Sequence, residues 1–192
     1  IMKVVAFNGS ARAKGNTAIL LNVVLDELGK EGIETELVTL AGKDVPGCRA
    51  CYKCFEKADG HCAVTGDIVN ECIDKMRAAD GILLGSPTYF SNVTAGMKAL
   101  IERAGMTSRA NQDLLKRKVG AGVVAVRRAG AMHAFSSLNF FFLIGQMIVV
   151  GSNYWNIGIG REAGEVEKDI EGVQTMKVLG QNMAWLLKKL HT

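Results

Sequence analysis

The run Met2-Lys3-Val4-Val5-Ala6-Phe7-Asn8-Gly9-Ser10-Ala11-Arg12-Ala13-Lys14-Gly15-Asn16-Thr17 sets the architecture of the whole chain. Its first six residues are short, apolar and β-branched, as in a strand buried on both faces. The strand stops at Asn8-Gly9-Ser10, and Asn16-Thr17 opens a helix with either residue available as its cap. Leu20, Leu21, Val24, Leu25 and Leu28 follow at helical spacing, and Gly29 or Gly32 ends the run. A buried strand that leads straight into an amphipathic helix is the first half of a βαβ unit.

The same alternation continues to the C-terminus. Strands are expected at Ile33–Leu40, Gly81–Gly85, Val119–Val126 and Met147–Val150, and helices at Asp67–Ala79, Thr94–Ala104, His133–Gln146 and Glu165–Leu190. Five strands alternating with helices imply α/β architecture: a doubly wound, five-stranded parallel sheet of order 2-1-3-4-5, with ligands at the carboxyl ends of its strands. No repeat or low-complexity stretch divides residues 1–192, so one domain is expected, with a cysteine-rich loop at about 41–65. A loop of that length between a strand and a helix is usually functional.

Composition narrows the functional classes. The net charge of +4, from 23 basic and 19 acidic residues, is small and not gathered in a run, so nucleic acid is not an expected partner. The longest apolar stretch, Phe140 to Val150, is broken by Gly145 and Gln146 and is too short to span a bilayer. Ile1 reads as an addition ahead of the natural start, and Met2-Lys3 enters the strand with no visible leader. A cytoplasmic chain is therefore expected, and its five cysteines point to metal or redox chemistry rather than disulfides.

Four of those cysteines stand together as Cys48-x2-Cys51-x2-Cys54-x7-Cys62. Thiolates three residues apart, twice in succession, can turn inward on one small object. A tight run of this kind commonly supplies three ligands of an iron–sulfur cubane, whereas structural zinc more often takes two separated pairs. A redox-active cysteine loop is the other alternative. Cys72 falls on the apolar face of its helix and reads as a small buried hydrophobe. His61 and His133 show no metal-ligand spacing.

By topology, the loops leaving strands one, three and four meet at one end of the sheet, and the cysteine loop leaves strand two at the same end. Gly9–Thr17 matches neither the P-loop nor the dinucleotide glycine pattern. It nonetheless offers hydroxyls from Ser10 and Thr17, the Arg12 cation and a helix start, which together suit a phosphate. Pro87-Thr88-Tyr89-Phe90-Ser91-Asn92 mixes rigid, flat and polar groups that suit the face and edge of a planar heteroaromatic. In Arg127-Arg128-Ala129-Gly130, a guanidinium could offset negative charge on a reduced ring.

Gly9-Ser10-x-Arg12-x-x-Gly15-Asn16-Thr17, followed by Gly85-Ser86-Pro87-Thr88-Tyr89-Phe90, resembles the NADPH-dependent FMN reductase superfamily. With the four cysteines between these motifs, the chain resembles the iron–sulfur flavoproteins of anaerobic archaea and bacteria. The resemblance implies a flavodoxin-like fold, one FMN and one [4Fe-4S] cluster per chain. It assigns Ser10, Arg12, Asn16 and Thr17 to the FMN phosphate. Pro87, Thr88, Tyr89, Phe90 and Asn92 would line the isoalloxazine and ribityl, and Cys48, Cys51, Cys54 and Cys62 would ligate the cluster. It also implies a homo-oligomer, dimer or tetramer, that receives electrons from ferredoxin. An oxidoreductase relaying electrons between cluster and FMN is the expected function, with no residue required as acid or base. A cluster-free NAD(P)H-dependent FMN or quinone reductase is the alternative. The apolar run Phe135, Leu138, Phe140, Phe141, Phe142, Leu143 exceeds what one helix turns inward, which also favours a homo-oligomer.

Overall fold

The computed structural model describes residues 2–191, so Ile1 lies outside the described residues. Four strands build the centre of one parallel sheet: β1 (Lys3–Asn8), β2 (Glu34–Thr39), β3 (Gly81–Pro87) and β4 (Val119–Val126). Two shorter strands, β5 (Ile148–Val149) and β6 (Ile157–Ile159), complete it, and the order is β2-β1-β3-β4-β5 with β6 also on β4. The expected 2-1-3-4-5 winding is therefore the observed one, and every pairing among these strands is parallel.

Alternation along β1 explains why the sheet is covered on both sides. Val4 and Ala6 point to one face and Val5 and Phe7 to the other, and all four are fully buried. The Val4 side packs with Leu20, Leu21, Val24 and Leu28 of α1 (Asn16–Lys30) and Met176, Leu179, Met183 and Leu187 of α6 (Ile170–Leu190). The Val5 side packs under α3 (Val69–Ala78), α4 (Ala95–Ala110) and α5 (Ala131–Ile144).

The helix α4 runs on to Ala110 rather than ending near Ala104, and three further local features differ from the sequence expectation. The fifth strand is split. Ile148 and Val149 pair with Val119 and Gly120, and Ile157 to Ile159 pair with Val124 to Val126 on the same edge. Between them the chain loops out, and the buried Asn156 side chain donates to the Gly122 carbonyl at 3.0 Å. An amide side chain thus replaces a ladder bond where the strand is interrupted. The last helix starts at Ile170 rather than Glu165, because Asp169 caps it by accepting from the Gly172 N–H at 3.0 Å; a 3₁₀ turn occupies Glu165–Lys168. Inside the cysteine loop lies an unexpected short helix, α2 (Lys53–Lys57).

Candidate functional site

The loop after β1 is shaped from within. Asn8 is fully buried, and its Oδ1 accepts from the Ser10 N–H at 3.0 Å while its Nδ2 donates to the Ala13 carbonyl at 3.3 Å. The Ser10 Oγ accepts from the Arg12 N–H at 3.1 Å. Thr94 clamps the loop from outside: its Oγ1 donates to the Gly9 carbonyl at 2.7 Å and also caps α4 by accepting from the Met97 N–H. The cap of α1 is Gly15, which brings no side-chain hydrogen bond, and its first turn holds no acid. A 15-residue helix therefore points unneutralised N–H groups and the positive end of its dipole out of the loop.

That helix end forms the floor of a cleft of about 160 Å³ at the carboxyl ends of β1, β3 and β4. Ser10, Arg12, Asn16, Thr17, Pro87, Thr88, Tyr89 and Arg127 line it, eight of the residues expected from sequence. Two hydroxyl oxygens in its lining, Thr17 Oγ1 and Thr88 Oγ1, are buried without a hydrogen-bond partner. A buried unpaired hydroxyl costs about 1–3 kcal/mol, so the cleft fits a polar guest that would pair them. Cation, uncapped helix end and orphan hydroxyls together match a phosphorylated, hydroxyl-bearing ligand such as FMN.

Three expected residues stand elsewhere. Phe90 is wholly exposed at the tip of a tight hairpin in which Tyr89 and Asn92 bridge, with left-handed φ values at Phe90 (47°) and Ser91 (58°). Asn92 Oδ1 accepts from the Val93 N–H at 2.9 Å and the Ser137 Oγ at 3.0 Å, so it braces the hairpin against α5. Gly130 caps α5 with φ 84°, and a Cβ there would meet the Ser91 Oγ at 2.5 Å. It fits the two loops together outside the cleft. Asn16 lines the cleft, but its side chain is engaged: its Nδ2 donates to the Glu162 carbonyl and its Oδ1 accepts from the Gly164 N–H, both at 2.9 Å.

That tie brings in residues the sequence reading missed. Gly160 and Arg161, just past β6, complete the cleft wall. The Gly160 N–H donates to the Val126 carbonyl at 2.9 Å, and a Cβ at Gly160 would lie 2.6 Å from the Val166 nitrogen. The signal was present in Gly158-Ile159-Gly160-Arg161, a glycine-bearing turn leaving the fifth strand position.

The cysteine loop folds away from this cleft. Cys48, Cys51, Cys54 and Cys62 line one separate hollow, walled by Arg103, Met106 and Thr107 of α4, and the hollow shares no lining residue with the cleft. The four loops expected to converge are therefore three plus one. The cause is α4, which runs back down the sheet and carries the cysteine loop with it. Arg103 and Thr107 sit eight and twelve residues beyond Ala95, or about 12–18 Å along the helix at 1.5 Å per residue.

Ala50 (φ 48°) and Tyr52 (φ 56°) take left-handed backbone conformations between the first three cysteines. They turn the Ala50 N–H toward the Cys48 Sγ at 3.4 Å. The Arg103 Nε donates to the Cys62 Sγ at 3.3 Å. Burial pushes the Cys54 thiol up, and neighbouring Cys62 and Cys48 add to the shift. Four thiols with N–H donors aimed at two of them are a donor set suited to thiolate ligation of an iron–sulfur group. Among the described residues, no three His, Cys, Asp or Glu side chains are gathered as a ready site for a single metal ion. Cys72 is fully buried on α3, and burial raises its pKa to about 12, which makes it an inert core residue. His61, next to Cys62 in the chain, is tied to Asp74 at 2.9 Å and does not line the hollow.

Comparison with known proteins adds the lineage. The profile of the NADPH-dependent FMN reductase family matches residues 2–162. An iron-sulfur flavoprotein of Methanocaldococcus jannaschii is 39% identical, over 97% of this chain and 98% of its own. Another, from Methanosarcina thermophila, is 33% identical over 97% of this chain and 96% of its own. Among solved structures, RosB with a bound formylated riboflavin-5′-phosphate superposes with a TM-score of 0.76 at 19% identity, covering 100% of this chain and 81% of that one. A WrbA-like flavodoxin of Agrobacterium tumefaciens gives 0.66 at 14% identity and 97% coverage of both chains. These structural likenesses are of fold alone. The chain thus has a flavodoxin-like fold and belongs to the NADPH-dependent FMN reductase family of FMN-dependent oxidoreductases.

Proposed function

We propose that this protein passes electrons between a [4Fe-4S] cluster held by Cys48, Cys51, Cys54 and Cys62 and an FMN seated in the cleft, drawing them from ferredoxin and delivering them to a small acceptor. One observation carries the reading: four of the chain's five cysteines line a single hollow lying beside the helix that leads from the cleft. When bound, the two groups would supply one-electron and two-electron redox chemistry respectively, so the protein need only hold and tune them. The relatives named as iron-sulfur flavoproteins favour this over a cluster-free NAD(P)H-dependent reductase. Iron, sulfide and flavin counts on anaerobically purified protein test it. About four irons and one FMN per chain are expected; zinc, or FMN without iron, would leave the plain reductase.

In the cleft, Arg12 and the uncapped first turn of α1 would grip the phosphate, with Ser10 and Thr17 supplying hydroxyls. Arg127 would sit near the ring, where positive charge offsets the negative charge of a reduced flavin. Arg12→Ala is expected to weaken FMN binding roughly tenfold to a hundredfold, since a hydrogen bond to a charged group contributes about 1.5–3 kcal/mol. Fluorescence titration of the deflavinated protein reads this directly, and unaltered affinity would remove Arg12 from the site.

Assembly follows from α5. Leu138, Phe141 and Phe142 turn inward, but Phe140, Leu143 and Ile144 remain at least 60% exposed, and the half-exposed Ile148 follows them at the sheet edge. An apolar patch of this kind suits an interface with a second copy. Light scattering should report a dimer or tetramer at micromolar concentration, and Leu143→Glu should shift it toward monomer. A monomeric wild-type chain would rule this out.

A further inference from the structure

Thr107 on α4 has a buried hydroxyl for which the fold provides no partner. The residue is 1% exposed, its Oγ1 has no hydrogen-bond partner, and it lines the hollow containing the four cysteines. Its backbone carbonyl, by contrast, is engaged and accepts from the Asn111 Nδ2 at 2.9 Å. One helical turn earlier, on the same face, the Arg103 Nε donates to the Cys62 Sγ. Positions i and i+4 of one helix therefore place a sulfur-bonded guanidinium and a residue with an unpaired hydroxyl in the wall of one sulfur-lined space. Within the protein alone a threonine hydroxyl here is a liability, and valine would fill the same volume without the desolvation cost.

We propose that Thr107 is a positioning and tuning residue for the group the cysteines hold: its hydroxyl donates to a sulfur of that group and, with Arg103, raises the reduction potential. The proposal rests on the cluster reading above. The physics is one of sign. A donor aimed at sulfur interacts more strongly with the more negative, reduced state, so it makes one-electron reduction easier. The same hydroxyl contributes nothing favourable when no sulfur acceptor faces it.

Thr107→Val should therefore act in opposite directions on the two forms of the protein. The metal-free chain should be as stable as wild type or more so. The iron-loaded chain should show a more negative midpoint potential, with the reduction equilibrium weakened on the order of tenfold, about 59 mV for one electron. Thr107→Ser, which keeps the hydroxyl, should restore the wild-type potential. The measurements are thermal denaturation of metal-free protein and anaerobic redox titration of loaded protein, for wild type and both variants. A loaded Thr107→Val protein with the wild-type potential would overturn the proposal, as would a metal-free Thr107→Val protein less stable than wild type. Wild-type protein that binds zinc, or no metal, would overturn the cluster reading itself. Metal analysis of wild type distinguishes that result from a failure confined to Thr107.

Discussion

Cys51→Ser should strip iron from the protein and abolish reduction of its FMN by ferredoxin, while the flavin stays bound. The separation of the two sites motivates this expectation. Cys51 lines the cysteine hollow, and no residue of that hollow lines the cleft. The cleft is braced by Asn8, Thr94 and the Asn16 contact with the loop past β6, none of which touches the cysteines. A serine oxygen is a poorer ligand than thiolate for a cluster that relies on soft donors. Cys51 is also exposed, so its replacement costs the fold little. Dithionite, a small reductant, should still bleach the flavin of the variant. Absorbance followed anaerobically with each reductant gives the comparison. Ferredoxin-driven reduction at the wild-type rate would eliminate the cysteine loop as the entry point.

The second large effect concerns the fold rather than electron entry. Arg103→Met should destabilise the protein by about 3–5 kcal/mol, the usual cost of stripping one partner from a buried ion pair. For a chain of this size that is a fall in Tm of about 6–20 °C. The Arg103 side chain is fully buried, and every polar contact it makes ties the cysteine loop to α4. Its Nη1 lies 2.6 Å from Asp67 Oδ2 and 3.4 Å from the Pro46 carbonyl, while its Nη2 donates to the Val64 carbonyl at 2.7 Å. Methionine fills a comparable volume but leaves Asp67, 8% exposed, as an uncompensated carboxylate and strands two carbonyls. Arg103→Met with Asp67→Leu should recover part of the loss, because the orphan charge is gone while the carbonyls stay unpaired. Chemical denaturation of the metal-free proteins isolates this term from any cluster contribution. A loss below about 1 kcal/mol would mean that Arg103 does not anchor the loop.

Nothing in the sequence marked Arg103. It lies on an amphipathic helix whose polar positions ordinarily face water, and only the packing of residues 46–67 over α4 places it inside. Thr107 and Asn8 were hidden for the same reason, since a buried polar residue and a solvated one are written with the same letters.

The elements were legible to different degrees. The strands β1, β3 and β4 are short, mainly apolar runs, and in a chain whose strands alternate with helices such runs belong in a parallel sheet. Right-handed crossovers then put helices on both faces, and five strands suit the 2-1-3-4-5 order. The loops after β1 and β3 were readable as binding loops because hydroxyl, cation and aromatic residues cluster where strands end, and the cysteine spacing is local chemistry that needs no fold to be seen. These local signals are what the chain determines by itself: strand and helix identity, sheet order, and the residue types available for a phosphate, a planar ring and a thiolate-bound group. Only the tertiary structure decided what met what. It split the fifth strand, which brought Gly160 and Arg161 to the cleft, and turned Phe90, Asn92 and Gly130 away from it. It also drew the cysteine loop down α4 to a hollow of its own. Each outcome depends on contacts between residues far apart in the chain, such as Asn16 with Glu162 and Arg103 with Cys62. Their burial and pairing energies are properties of the assembled core, absent from any local run of residues.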